Sequence, residues 1–339
     1  MSYFNPNRAR QEYREPQWGI PGTAADAYTG EGGKQFYIGR QSTRDIAASD
    51  AHDGTDPRAP MATLQALIDR TAAITAGTGT RQPYLRAHDT VYIQADISES
   101  VITGDTTDMP EGVSIIGVGN DFWTPQWSSD VATNPCLTLR AFGWNVANIQ
   151  FNPPTTSSGI RAQWIPLSNY NASRLTVRDC VFDGAWTGFY GIDLSGAPYD
   201  VKVDGCTFRE LRGAGESFGI IVTNTNEADP FMCEITNNIF WENENHVGSI
   251  DNLRNFNVSL FRGNVFHEGV LIAATSKLDL RGGTRGRNIV TGNDFCGDYS
   301  NAGGYYANAA LPGNWVGNFA EDLLEVTVAD NGITIAVPA

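Results

Sequence analysis

The chain has 339 residues, with 38 Asp and Glu against 23 Lys and Arg, a formal net charge of −15 and a pI near 4.6. That balance argues against wrapping nucleic acid or settling on an anionic membrane. No apolar stretch approaches the roughly 18 residues that span a bilayer. The first residues, Met1 to Arg8, hold no apolar signal core, so a chain made and folded in a cytoplasm is expected. The 5 cysteines follow no zinc-site spacing and read as reduced core residues, and no metal or cofactor is expected.

Residues 1–35 differ from the rest. They carry Pro6, Pro16 and Pro21, a mixed-charge run over 8–15, and then Gly30, Gly32 and Gly33. Little here builds a core, yet Tyr3, Phe4, Tyr13, Trp18, Ile20 and Tyr28 are scattered through it. A disordered linker is usually poor in aromatics. The segment reads as an anchoring arm that orders against a partner through Tyr3, Phe4, Arg8, Arg10, Tyr13, Arg14 and Trp18. A plain solvated tail is the alternative.

Residues 36–111 read as opening strands and a cap. A first strand is predicted over Gln35–Gly39, followed by a turn at Asp53-Gly54-Thr55-Asp56-Pro57. The one clear helix is predicted over about Met61–Ile74, behind Pro60, with Leu64, Leu67, Ile68, Thr71 and Ala72 on one stripe. Strands are predicted at Thr90–Ile93 and Ser98–Ile102.

From residue 112 to 322 one phrase recurs. A phenylalanine returns at Phe122, Phe151, Phe182, Phe208, Phe240, Phe266, Phe295 and Phe319, at intervals of 24 to 32 residues. Two places ahead stand Asn120, Cys180, Cys206, Asn238, Asn264 and Asn293. Five places ahead stand Val146, Val177, Val203, Ile235, Phe261 and Val290. A fixed period with apolar columns and a polar turn signals a solenoid. The repeats carry two short alternating runs around an Asp, Gly or Asn turn, with no long helical stretch. The expected fold is all-β: a right-handed, single-stranded parallel β-helix in which like positions stack about 4.8 Å apart. Phe182, Phe208, Phe240, Phe266 and Phe295 would form one interior column, and Asn238, Asn264 and Asn293 an amide ladder beside it. Residues 323–339, with alternating runs at 325–328 and 332–337, would cap the last coil or pair with a neighbouring subunit.

Acidic residues two places after the repeat phenylalanine, Glu210, Glu242, Glu268 and Glu321, fall on recurring positions. The first three would stack, and closely spaced carboxylates serve glycoside cleavage or hold a cation. Asp193, Glu216, Glu244, His246, Asp251, Arg254 and His267 are expected in loops nearby. If the chain is an enzyme, Glu210, Glu242, Glu268, Asp251 and His246 are the candidates. With 38 acids in the chain, solvated turns explain the same pattern. Tryptophans at 123, 127, 144, 164, 186 and 241 serve packing, an interface or sugar stacking.

The order Asp-Gly-Thr-Asp-Pro, a helix beginning Thr-Leu-Gln-Ala-Leu-Ile-Asp, an Asp-Thr-Val-Tyr-Ile strand and then Val-Ser-Ile-Ile-Gly-Val-Gly resembles the opening of pectate-lyase-like β-helix proteins. That superfamily contains polysaccharide lyases, glycoside hydrolases and many tailed-phage spike and virion-surface proteins. The resemblance covers roughly residues 36–330 and implies architecture more than activity. It implies a homotrimeric structural protein on a virion surface, made in a host cytoplasm. Such a protein would be a capsid decoration, a cement protein or a tailspike, bound to a capsid or tail protein through its arm. The alternatives are a polysaccharide lyase or glycoside hydrolase, and a spike that binds a host surface polysaccharide without cleaving it.

Overall fold

The computed structural model describes residues 33–39, 46–79, 83–119, 124–165, 168–213, 216–223, 229–250, 255–268, 276–280, 287–297, 306–307 and 315–320. The anchoring-arm residues Tyr3 to Trp18, and also Phe122, Asp251, Arg254, Glu321 and the predicted strands after 322, lie outside these.

Three all-parallel sheets run the length of a β-helix. Sheet A has ten strands, from Gln35–Ile38 to Trp315–Val316; sheet B has nine, from Ile97–Ser98 to Phe319–Ala320; sheet C has eight, from Val101–Ile102 to Tyr306–Ala307. After Gln35–Ile38, which stands in sheet A alone, the described strands enter A, then B, then C on each rung, ending with Phe319–Ala320 in B. Rungs begin with Gln35 and Thr90 in sheet A, well before residue 112 where the repeating phrase becomes legible.

In-register pairing stacks like side chains. Trp127, Phe151, Phe182, Phe208, Phe240, Phe266 and Phe295 form one file, with ring centroids 4.7 to 5.4 Å apart from each to the next. Each such pair adds about 0.5–1.5 kcal/mol beyond the burial itself. The file departs from the sequence expectation at both ends. Trp127 pairs with Phe151 where a phenylalanine at 122 was expected, and at the far end Phe295 pairs with Ala320 while Phe319 falls opposite Asp294. A parallel file of Val91, Ile115, Val146, Val177, Val203, Ile235, Phe261 and Val290 lines sheet A.

The corner between A and B explains why Asn, Asp and Gly punctuate the repeat. Asn148, Asp179, Gly205, Asn237, Gly263, Gly292 and Gly317 all sit there with φ between +53° and +66°. Only glycine, or a short polar side chain that bonds locally, takes that conformation cheaply. Just inside the corner the interior amides bond from each rung to the one after it. Nδ2 of Asn238 donates to Oδ1 of Asn264 at 3.0 Å, Asn264 to Asn293 at 2.9 Å, and Asn293 to Asn318 at 2.9 Å. Cys206 and Cys180 continue this column above Asn238, and Cys136, Cys180, Cys206 and Cys233 are buried free thiols.

The helix runs over Leu64–Thr75, starting later than predicted, because Thr63 is its N-cap and accepts from Ala66 N–H. Carboxylates close the rest of its first turn: Glu99 accepts from Leu64 and Gln65, and Asp50 from Ala62 and Thr63. Leu64, Leu67 and Ile68 are buried in the core, and Gln65 bonds to the backbone of Ile102 at the edge of sheet C. Residues 54–61 pair with the free edge of Gln35–Ile38, through Tyr37 N–H to Gly54 O and Met61 N–H to Tyr37 O. The N-terminal edge is therefore covered, as an exposed parallel edge requires. The strand predicted over Ser98–Ile102 is two, Ile97–Ser98 and Val101–Ile102, because the chain turns from sheet B to sheet C at Glu99-Ser100.

Candidate functional site

The corner between sheets B and C departs most from repeat geometry. Strand Val181–Gly188 pairs Asp183 with Arg209 and Gly188 with Leu211, so four residues on one strand, 184–187, face a single residue on the next. Within that bulge Ala185 and Trp186 take φ of +44° and +69°. On the two rungs beyond, Glu210 and Glu242 take +55° and +52°. Non-glycine residues in this region are strained, and such strain concentrates where a backbone serves something other than folding.

The bulge puts Trp186 on the surface, 44% exposed. The Arg212 guanidinium lies 4.0 Å from the centre of its ring. Arg212 also donates from Nε to Glu242 O at 3.0 Å and from Nη2 to Glu242 Oε2 at 3.3 Å. Beside it, Arg209 Nη2 meets Asp183 Oδ2 at 2.5 Å. The result is an aromatic platform with a cation on its face, held by the Glu242 carboxylate of the following rung.

The outer face of sheet C adjoins this corner. Asp193 lies on strand Tyr190–Gly196, in contrast to the loop expected for it, because its neighbours Ile192 and Leu194 fill the core and turn it outward. It is nonetheless 1% exposed. Arg161 Nε donates to its Oδ2 at 2.6 Å, and the Thr223 hydroxyl donates to Oδ1. Burial pushes the Asp193 carboxyl above its ordinary range, while Arg161 and Thr223 oppose that. Phe189, Tyr190, Phe218 and Ile221 form a small apolar cluster on the same face. Burial, and then the charges of Asp193, Glu216 and Glu244, push the Tyr190 phenol up. Glu244 Oε2 accepts from Ser217 N–H at 2.9 Å, and Glu216 is exposed.

The predicted acids separate on this frame. Glu210 and Glu242 follow the paired residues Arg209 and Trp241, and Glu268 ends strand Val265–Glu268 after His267, so the backbone sets the three on successive rungs. The Glu242 carboxylate is taken up by Arg212. His246 is not in a loop. It lies in strand Asn245–Ser249, fully buried, between the rings of Phe240 and Phe266 at 5.8 Å from each. On earlier rungs the same inward place is held by Gly159, Gly191 and Gly219, which leave the stacked phenylalanines room. His246 therefore packs the core and cannot meet a substrate. His267 lies on sheet B, opposite Trp241. Of the tryptophans, Trp127 and Trp144 are core, while Trp186 and Trp241 face out. Sequence reasoning missed Arg161, Tyr190, Arg212 and Thr223. The one signal was the Gly184–Gly188 bracket around Trp186, a lengthening inside a strand.

Chemically, this face can stack and hydrogen-bond a polar ring; its one carboxyl with a raised pKa is sealed. Among the described residues, no group of three His, Cys, Asp or Glu is placed to hold a metal ion, and no helix is long and apolar enough to cross a membrane.

No protein-family model matches the chain, and no curated protein matches it. Two solved structures do at low similarity, both mutants of the tailspike protein of E. coli bacteriophage HK620. One, in complex with a pentasaccharide, has 15% identity and a TM-score of 0.42 over 86% of this chain and 64% of that one. The other has 14% identity and a TM-score of 0.43 over 93% of this chain and 66% of that one. The chain thus spans about two thirds of the length of those tailspike chains.

Proposed function

We propose that this chain is a structural protein of a tailed-phage surface: a β-helix rod fixed to the particle by its N-terminal segment, most simply as a homotrimeric capsid decoration or cement protein. The observation that carries this reading is where the chain joins the rod. Strand Gln35–Ile38 is the terminal strand of sheet A, at the end closed by the helix, so residues 1–32 issue from that end. An aromatic and basic segment at one end of a rod suits end-on tethering, with the rungs projecting away. Self-association is supported by large apolar side chains on outer faces: Ile239 and Trp241 on sheet B and Ile289 on sheet A, between 38% and 52% exposed. The acidic charge keeps such rods soluble apart from their contacts.

Deleting residues 1–32 tests it. The truncated rod should keep its β-sheet circular dichroism and cooperative melting while losing attachment to particles. Attachment that survives the deletion would refute the tether.

One observation favours a second reading, a spike that binds or cleaves a surface polysaccharide. Trp186 is held outward in a strained conformation beneath Arg212, as a sugar-stacking platform would be. The same preparations, incubated with capsular and O-polysaccharides, decide it. Binding lost in Trp186→Ala, or cleavage lost in Glu242→Gln or Glu268→Gln, would establish this reading.

A further inference from the structure

The corner between sheets C and A carries a feature that neither attachment nor the B–C platform uses. Its residues recur two places before each sheet A strand: His88, Gly112, Gly143, Arg174, Asp200, Met232 and Val258. All have φ between +52° and +73°. Glycine, aspartate and histidine suit such a place. Met232 and Val258 do not, and a β-branched valine there is an outlier. Burial does not explain them, because Met232 is 52% exposed and Val258 48%. The residues just before the corner are aromatic as well. Tyr199 and Phe231 stack at 5.2 Å, Phe142 lies 6.4 Å from Tyr199, and Phe231 is 39% exposed. An apolar patch therefore lies on the later rungs of this corner, at Phe231, Met232 and Val258, just past the rungs where Arg174 and Asp200 pair with each other at 3.6 Å.

The occupant is suggested by where the chain enters. Gly33 stands two places before Gln35, and Gln35 pairs with Thr90, so Gly33 occupies this same corner on the first rung. The described chain thus begins on this corner, at the rung before His88. From Gly33 the corner descends six rungs to Met232 and seven to Val258, or about 29 and 34 Å at about 4.8 Å per rung. An extended chain covers at most about 3.3 Å per residue. Tyr28 can then reach the Phe142 level, three rungs along, and Ile20 and Trp18 the Phe231–Val258 level with slack to spare. The chemistry matches too. Between Pro16 and Gly30 the sequence holds a single charged residue, Asp26, among Trp18, Ile20, Pro21 and Tyr28. Pro16 and Pro21 favour the extended form such a groove filler needs.

We infer that residues 16–30 of each chain lie along this corner of the same chain, with Trp18 and Ile20 against Phe231, Met232 and Val258. The more basic residues 1–15 then remain to meet a partner. This inference does not depend on what that partner is.

Chymotrypsin tests it on the full chain, by the rate of cleavage after Trp18 and Tyr28. With the segment laid on the patch, the variant carrying Met232→Glu and Val258→Asp should be cut at least about tenfold faster than the parent, its melting transition remaining cooperative. The variant Ile20→Ser should shift the rate the same way from the other side of the contact. Equal rates in all three would overturn the inference. Trp18→Cys with Val258→Cys supplies the second arm: oxidation with diamide should give a disulfide within one chain. A disulfide joining two chains would show that a second copy covers the patch, and would overturn the assignment to the same chain.

Discussion

Removing one rung of the amide ladder isolates what the interior polar column contributes. Asn264 is fully buried, and five hydrogen bonds run through its side chain and its backbone N–H. Its Oδ1 accepts from the backbone and from the side chain of Asn238, each at 3.0 Å. Its Nδ2 donates to Ile235 O and to Asn293 Oδ1, each at 2.9 Å. In Asn264→Ala the backbone bond from Asn264 to Asn293 survives, and so does the bond from Asn238 Nδ2 to Val203 O. The backbone N–H of Asn238 and the carbonyl of Ile235 lose these partners. Each buried polar group so orphaned costs about 1–3 kcal/mol, and the small cavity adds to that. The expected loss is about 3–5 kcal/mol, read by equilibrium denaturation in guanidinium chloride. Cys180→Ala, which removes a buried side chain outside the amide chain, should cost about 1 kcal/mol and serves as the control. Should Asn264→Ala lose no more than that control, the ladder is incidental and its groups are satisfied by other means.

Two further outcomes follow from the same interior. A Cβ placed on Gly191 would lie 2.5 Å from Gly219 O and 2.6 Å from the Phe208 ring, and one on Gly219 2.8 Å from His246 O and from Phe240, whereas one on Gly159 meets nothing closer than 3.0 Å. Gly191→Ala should therefore lower stability most, by about 2–3 kcal/mol, Gly219→Ala less and Gly159→Ala least; thermal melts returning the reverse order would contradict the stacking. Burial holds the carboxyls of Asp89, Glu99, Asp179 and Asp193 above their ordinary range. A raised folded-state value means the native chain binds the proton more readily. The stability from these groups is complete below the unfolded value, near 4.5 for Glu99, and is lost as pH rises through the raised one. The melting temperature should climb as pH falls through the raised values toward the unfolded ones, and Glu99→Gln should flatten that climb; a profile in Glu99→Gln that superimposes on the parent's would remove Glu99 from the account.

The sequence made the interior legible and left the exterior largely silent, for a physical reason. An interior place is repeated because a flat ring or amide is satisfied by its like 4.7 to 5.4 Å away, so Phe182, Phe208 and Phe240 or Asn238, Asn264 and Asn293 announce one another. The rule fails where a rung ends or changes its neighbour. Trp127 fills the phenylalanine place with a different ring, and Phe319 is one residue out of register because pairing, not spacing, fixes position. His246 was misplaced because its column is one of glycines, Gly159, Gly191 and Gly219, and an absent side chain leaves no periodic signal to extend.

Outer residues have no such constraint. Stacking like charges there is unfavourable, and Glu242 ends on Arg212 instead of beside Glu210. What marks the outside is the backbone. Trp186, Met232 and Val258 keep left-handed φ values at exposed places where glycine or asparagine would be cheaper. A fold that tolerates glycine at Gly112 and Gly143 on the same corner has no packing reason to hold valine and methionine further along it. Left-handed φ at half-exposed Met232 and Val258 is what supports the inference that residues 16–30 lie against them, and the cleavage and cross-linking experiments decide it.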